Sequence, residues 1–162
     1  MTRFVALVPV LFAVSAVPVF AQMSAVEVVA GYAGFVDDAT IDHAVVGGGA
    51  RIYLSPRFSA GPELVYMHGP DGDRDLFLTG NVTFDILAPG PGRPVIPFLV
   101  IGGGLMRHSS RVGPFSFSST EGAVTGGGGA RVRITDRAFV LGEFRIGWEP
   151  HSRVTGGIGV NW

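Results

Sequence analysis

The sequence predicts an all-β chain: an eight-stranded antiparallel up-and-down barrel that crosses a membrane on its strands, behind a cleaved leader. Three observations predict it. Stretches of about ten residues with alternating apolar and polar side chains recur along the chain, and none has convincing helical periodicity. The charges inside those stretches share one parity, which leaves the other face of each strand uncharged. The connectors alternate in kind, short or proline-rich turns with longer polar loops, as in a membrane-spanning barrel.

The leader comes first. "MTRFVALVPVLFAVSAVPVFAQ" has Arg3 ahead of an apolar run from Phe4 to Val19, then small residues before Gln22. That is a secretory signal pattern. Pro9, Pro18 and the short length argue against a transmembrane anchor. We therefore expect a signal peptide over 1–21 and a barrel domain over 22–162. The whole chain has 162 residues, 25 of them glycine and none cysteine, so disulfide frameworks and thiolate metal sites are excluded. Without the leader, 13 acids face 11 arginines, a net charge near −2 that does not suggest nucleic-acid binding.

The strands follow in order. The first is expected over 24–35, the second over 43–54, the third over 57–68 and the fourth over 75–87. The fifth is expected over 94–107, the sixth over 121–134, the seventh over 138–149 and the eighth over 152–162. The turns after the second, fourth and sixth are "SP", "APGPGR" and "TDR". Longer polar loops are expected over 36–42, 69–74 and 108–120. An even strand count puts both ends of the barrel on the short-turn side. The last strand, "VTGGIGVNW", should pair with the first around "EVVAGYAG" and leave no free edge.

One parity of these strands is apolar. It holds Val26, Val28, Tyr32, Val46, Ile52, Leu64, Leu78, Val82, Val132, Phe144 and Ile146, among others, and no charge in any strand core. This face is expected to meet lipid. Tyr32, Phe58, Tyr66, Phe84, Trp148 and Trp162 lie near strand ends on it, where aromatic girdles form. For any single one of them, ordinary aromatic enrichment of strands is an equal reading. The fifth strand is apolar on both parities, so its register is not readable.

The other parity holds four acids, Glu27, Glu63, Asp85 and Glu143, and four arginines, Arg51, Arg131, Arg133 and Arg145. Charges in a narrow interior must be paired. "GGGARIYLSPRFSAGPEL" (47–64) resembles "GGGARVRITDRAFVLGEF" (127–144) at a constant offset of 80. In each copy an arginine lies diagonal to a glutamate across a short hairpin. The expected interior pairs are therefore Arg51–Glu63 and Arg131–Glu143, with the other four charges completing a network. The alternative is arginines that snorkel independently to the rim.

With leader, strands, interior charges and terminal aromatic in place, the chain over 22–162 resembles the OmpA/OmpX-like, porin-family outer-membrane β-barrel proteins. The segments "GGGARIYLSPRFSAGPELVY" and "GARVRITDRAFVLGEFRIGW" carry the resemblance. It implies a bacterial outer-membrane location after export, periplasmic termini, and contact with lipid and lipopolysaccharide. It also implies that the final strand, Ile158, Val160 and Trp162, is read by the assembly machinery. Full-length OmpA's peptidoglycan-binding domain is not expected here.

The residues also offer sharper chemistry. Some barrels of this kind deacylate lipid A with a serine and a histidine at the rim. The candidates are His108–Ser110 and His151–Ser152, with Glu121 or Glu149 as the orienting acid. Neighbours on a strand point to opposite faces, which disfavours His151–Ser152. Asp71, Asp73 and Asp75 match the start of a calcium loop, but Leu76 and Val82 stand where it needs glycine and glutamate. With Asp37, Asp38 and Asp42 they read as a solvated acidic rim, or as a weak divalent-cation site bridging lipopolysaccharide. The glycine runs precede neither a Gly-Lys-Ser/Thr nor a helix, so they are not phosphate loops. Eight strands leave an interior just filled by side chains. The expectation is a monomeric, non-enzymatic barrel without cofactor or metal, acting through loops whose partner is unknown. The alternatives are a lipid A-modifying barrel enzyme and a soluble lipocalin-like ligand carrier.

Overall fold

The computed structural model describes residues 24–36, 40–90, 92–112, 115–148 and 150–162. The leader expected over 1–21, and the acids Asp37, Asp38 and Glu149, lie outside the described residues.

Eight strands follow one another: β1 (Ser24–Val36), β2 (Thr40–Tyr53), β3 (Phe58–His68), β4 (Arg74–Asp85), β5 (Val95–Val112), β6 (Phe115–Arg133), β7 (Ala138–Gly147) and β8 (His151–Asn161). Each pairs antiparallel with the next, and β8 pairs with β1, so the sheet is a closed barrel. Closure runs from Ala25↔Asn161 to Phe35↔His151, and Ser24 and Trp162 exchange backbone hydrogen bonds at 3.2 and 3.0 Å. No edge strand is left to pair with another chain.

The two repeated hairpins close in the same way. Leu54 N donates to Phe58 O at 2.8 Å, and Ile134 N donates to Ala138 O at 2.9 Å. Ser55 Oγ accepts from the amides of Arg57 and Phe58, and Thr135 Oγ1 accepts from those of Arg137 and Ala138. A hydroxyl that satisfies two turn amides explains why Ser and Thr are interchangeable here. In β6–β7, Arg131 stands opposite Leu141; in β2–β3, the pairs Gly49↔Glu63 and Ile52↔Ala60 set Arg51 at the level of Gly61.

The largest departure from the sequence reading is the segment 108–120. It is not a loop. β5 runs on to Val112 and β6 starts at Phe115, and their ladder continues to Val112↔Phe115. Serines on both parities hide the alternation, since a hairpin that stands clear of the barrel has no buried face to mark. The start of β2 at Thr40 shortens the first loop in the same sense. The loop at 69–74 holds a single turn, Pro70–Gly72, before β4 begins at Arg74.

The apolar parity faces outward: Val28, Leu64, Leu78, Phe144 and Ile158 are each half-exposed or more. β5 resolves into Leu99, Ile101 and Leu105 outside and Phe98, Val100 and Met106 inside. Such a continuous uncharged belt suits hydrocarbon and would be a grave liability in water. Aromatics bound it. Phe58 and Phe84 pair at 4.9 Å at the end of the barrel where Trp162 also stands, beside Ser24; Tyr32, Tyr66 and Trp148 mark the other end. The inside is layered. Ala25, Val29, Phe139 and Leu141 cluster toward the short-turn end, and Ala33, Val45, Val65, Met67, Phe77, Met106 and Ala123 pack toward the opposite end. Of the ionised side chains, Arg51 and Arg131 stand opposite Ala25 and Leu141 of the first cluster.

A lipid-facing belt predicts depth-dependent costs. Leu78→Arg, at mid-strand, should destabilise the barrel in lipid vesicles by about 2–4 kcal/mol, while Ile134→Arg at the turn rim should cost under about 1 kcal/mol. Urea titration of the vesicle-embedded protein measures both.

Candidate functional site

Two polar assemblies stand inside the barrel. The first is the charge network at mid-height. Glu63 accepts from Arg153 Nη2 at 2.9 Å and Arg145 Nη1 at 3.0 Å, and also from Asn81 Nδ2 at 3.1 Å. Glu143 takes Arg145 in a bidentate clasp, Nε at 2.6 Å and Nη2 at 3.0 Å, with Arg153 Nη2 at 3.4 Å. Arg145 and Arg153 face each other directly on β7 and β8. Like charges so placed repel. Two carboxylates shared between them turn the row into a clamp, and Glu63 reaches it from β3 across the interior.

Nearer the short-turn end, Arg51 binds Glu27 at 2.6 Å, and Arg131 binds both Asp85 and the Tyr53 hydroxyl. Among the described residues, the buried Nε atoms of Arg51 and Arg131 have no hydrogen-bond partner. Their guanidinium planes lie over Phe139 and Phe98 instead, at 5.5 and 4.6 Å. Ring faces supply the attraction that an acceptor otherwise would. The void bounded by Glu27, Arg51, Glu63 and Arg145 measures about 10 Å³, room for one water at most.

The hairpin pairs expected from the sequence are corrected here. Arg51 does not bind Glu63, nor Arg131 Glu143; their partners are Glu27 and Asp85. Gly49 stands between Glu27 and Glu63 in register, so Arg51 is diagonal to both. Glu63 is already held by two arginines from the far wall, which a narrow barrel brings as close as any neighbour on the sheet. Arg133 is outside the network: its Nη2 donates to Gly90 O at 3.2 Å and pins the β4–β5 turn. Arg153 takes the fourth place. Its inward parity on the eighth strand was the available signal. The network thus balances Arg51, Arg131, Arg145 and Arg153 against Glu27, Glu63, Asp85 and Glu143.

The second assembly lines the mouth at the end opposite the Ser55 and Thr135 turns, a cavity of about 600 Å³. His43 on β2 is 1% exposed, and its Nε2 lies 3.2 Å from Asp73 Oδ2 and 3.3 Å from Asp75 Oδ2. His108 Nδ1 is 2.7 Å from Asp75 Oδ1 and 3.5 Å from Asp73 Oδ1. The loop delivers Asp73 by a turn through Asp71 and Gly72, both with positive φ (53° and 81°). Gly69 N donates to Asp73 O at 3.0 Å across it. A Cβ at Gly69 would meet His43 Nε2 at 2.5 Å, so any side chain there would push the imidazole from its place. So the acidic stretch is no uniformly solvated rim: Asp75 is buried and Asp73 nearly so, while Asp71 is exposed. His43 was the residue missed, because nothing local in "IDHAV" marks it as an inward partner 30 residues away from Asp73.

The expected serine–histidine sites are not assembled. His108 turns to the aspartates, whereas Ser110 lines a separate cleft with Arg74, Arg107 and other serines. His151 is buried, its ring stacked on Phe35 at 5.1 Å and tilted against Phe77 at 5.2 Å, on the parity opposite Ser152. Glu121 lines the mouth cavity.

No protein-family model and no curated protein matches the chain. Solved structures do. Neisserial surface protein A superposes with a TM-score of 0.75 at 12% identity, covering 86% of this chain and 97% of that one. The N-terminal β-barrel domain of Pseudomonas aeruginosa OprF gives 0.68 at 13% identity, over 87% and 99% of the two chains. Ail, the attachment invasion locus protein of Yersinia pestis, gives 0.59 at 11% identity, over 87% and 99%. At these identities the likeness is one of fold: the small eight-stranded outer-membrane barrel.

Breaking the clamp should be costly. Glu63→Gln leaves two buried arginines with one carboxylate and should destabilise by about 3 kcal/mol. Arg133→Ala removes a rim contact and should cost about 1 kcal/mol or less. The unfolding midpoints of folded, heat-modifiable protein compare the two.

Proposed function

We propose that this chain is an integral barrel of a bacterial outer membrane that acts at its outward end, as a surface-interaction protein and not as a pore or an enzyme. The observation that carries this reading is the pairing of an uncharged outer belt with a filled interior. Charges close the middle, and the apolar layer of Val65, Met67, Phe77 and Met106 closes the space between it and the mouth. Nothing the size of a solute passes through such packing. What stays available to partners is the end that carries the mouth cavity and the β5–β6 hairpin.

That end has the chemistry of a contact surface. Phe115 and Phe117 are exposed on the hairpin, 66% and 60%, among Ser116, Ser118 and Ser119. Arg74 and Arg107 line a cleft of about 240 Å³ on the outer side of the wall, with Ser109, Ser110 and Ser118. Two guanidinium groups among hydroxyls suit anionic groups such as the phosphates of lipopolysaccharide. The solved structure of Ail holds sucrose octasulfate, a heparin analogue, so a barrel of this fold can present a polyanion site.

The absence of cysteine makes the orientation easy to test. Ser118→Cys should react with a membrane-impermeant maleimide on intact cells, and Asp136→Cys only after lysis. Equal labelling of both, or recovery of the protein with the soluble periplasmic fraction, would overturn the reading.

A further inference from the structure

We infer that the mouth of the barrel holds a divalent transition-metal ion of the zinc class, bound by His43 Nε2 and the carboxylates of Asp73 and Asp75. The argument starts from one proton. His43 Nδ1 lies 3.2 Å from the carbonyl oxygen of Ile41. A carbonyl only accepts, so Nδ1 carries the hydrogen. In the neutral ring Nε2 is then a lone pair, and its neighbours at 3.2 and 3.3 Å are two carboxylate oxygens. Acceptor faces acceptor. Something positive must lie between them: a proton, carried by the ring or by one of the carboxyls, or a cation.

The surroundings favour the cation. A proton on Nε2 would be one donor for two carboxylates. Among the described residues, the buried Asp73 Oδ1 has no hydrogen-bond donor, only His108 Nδ1 at 3.5 Å. A metal ion engages all three groups at once. Around a tetrahedral ion with bonds of about 2.0–2.1 Å, neighbouring ligand atoms stand about 3.3 Å apart. The two contacts of His43 Nε2 already have that spacing, and the three ligand atoms lie within 4.8 Å of one another.

The shell behind the ligands has the usual form of a metal site. A ligating histidine typically fixes its tautomer by giving its other N–H to a carbonyl, as His43 does to Ile41. A ligating carboxylate is itself held, as Asp75 is by His108 at 2.7 Å. The ligands come from β2, from the 69–74 connection and from the start of β4, so their spacing is fixed by the sheet and by the Asp71–Gly72 turn. Imidazole with two carboxylates suits zinc, nickel or copper, whereas calcium and magnesium ask for oxygen alone. Three protein ligands leave a fourth position open toward the mouth cavity, the arrangement of sites that bind an outside ligand through the ion. The proposal stands on these side chains alone and not on the surface role argued above.

The test uses untagged, folded full-length barrel in detergent, stripped with chelator and titrated with Zn²⁺ by calorimetry, then with Co²⁺ followed by its visible absorption. One equivalent should bind with micromolar or tighter affinity, and Ca²⁺ and Mg²⁺ should not compete at tenfold excess. Asp73→Asn, in a loop and needed by no core packing, should weaken Zn²⁺ binding at least tenfold while heat-modifiable migration stays unchanged. His43→Gln should do the same; if it fails to fold, Asp75→Asn takes its place. Failure of the wild type to bind Zn²⁺, or binding unaffected by Asp73→Asn, would overturn the proposal and leave a proton as what joins His43 to the two aspartates.

Discussion

The clamp of Glu63 and Glu143 on Arg145 and Arg153 is the interaction on which the rest of the barrel depends. Four ionised groups from β3, β7 and β8 meet at the middle of a space with almost no free volume. None can be moved to the outer wall, because hydrocarbon would not tolerate it. A slip of one residue in any of these strands would send its charge outward and leave its partner buried alone. The network therefore fixes register as well as closure. Its balance of four against four lets it sit beneath an uncharged belt without a net interior charge.

The layers above follow from the clamp. A charged middle needs dry packing beside it to keep water from weakening it, and the Met67–Phe77–Met106 layer supplies that. This layer separates the network from the mouth, so the histidine–aspartate cluster is an independent polar site with its own access from outside. On the proposed reading, the surface open to partners is at one end: the cavity with His43 and the two aspartates, the arginine–serine cleft, and the projecting β5–β6 hairpin.

Strand number, parity and closure were legible in the sequence because a lipid-facing strand cannot hide its alternation. Val26 to Tyr32 and Leu76 to Ile86 announce their outer face residue by residue. The interior membership of seven of the eight network charges was legible for the same reason, since parity assigns a side without assigning a partner. Partners were not. Glu63 and Arg153 are 90 residues apart, and sequence arithmetic on one hairpin cannot see the far wall. Arg133 has the right parity but lies at the last residue of its strand, where the rim begins. The hairpin at 108–120 lost its signal where it left the lipid, and His43 joined Asp73 only through a loop turn that no periodicity describes.

The clamp is tested most directly by a double-mutant cycle between Glu63 and Arg153, read from reversible urea unfolding of the barrel in lipid vesicles. If the clamp organises the interior, Glu63→Gln and Arg153→Gln together should cost far less than the sum of the two, with a coupling of about 2 kcal/mol or more. Additivity within about 0.5 kcal/mol would contradict it, and would make the interior charges independent passengers in a barrel held together by its ladder alone.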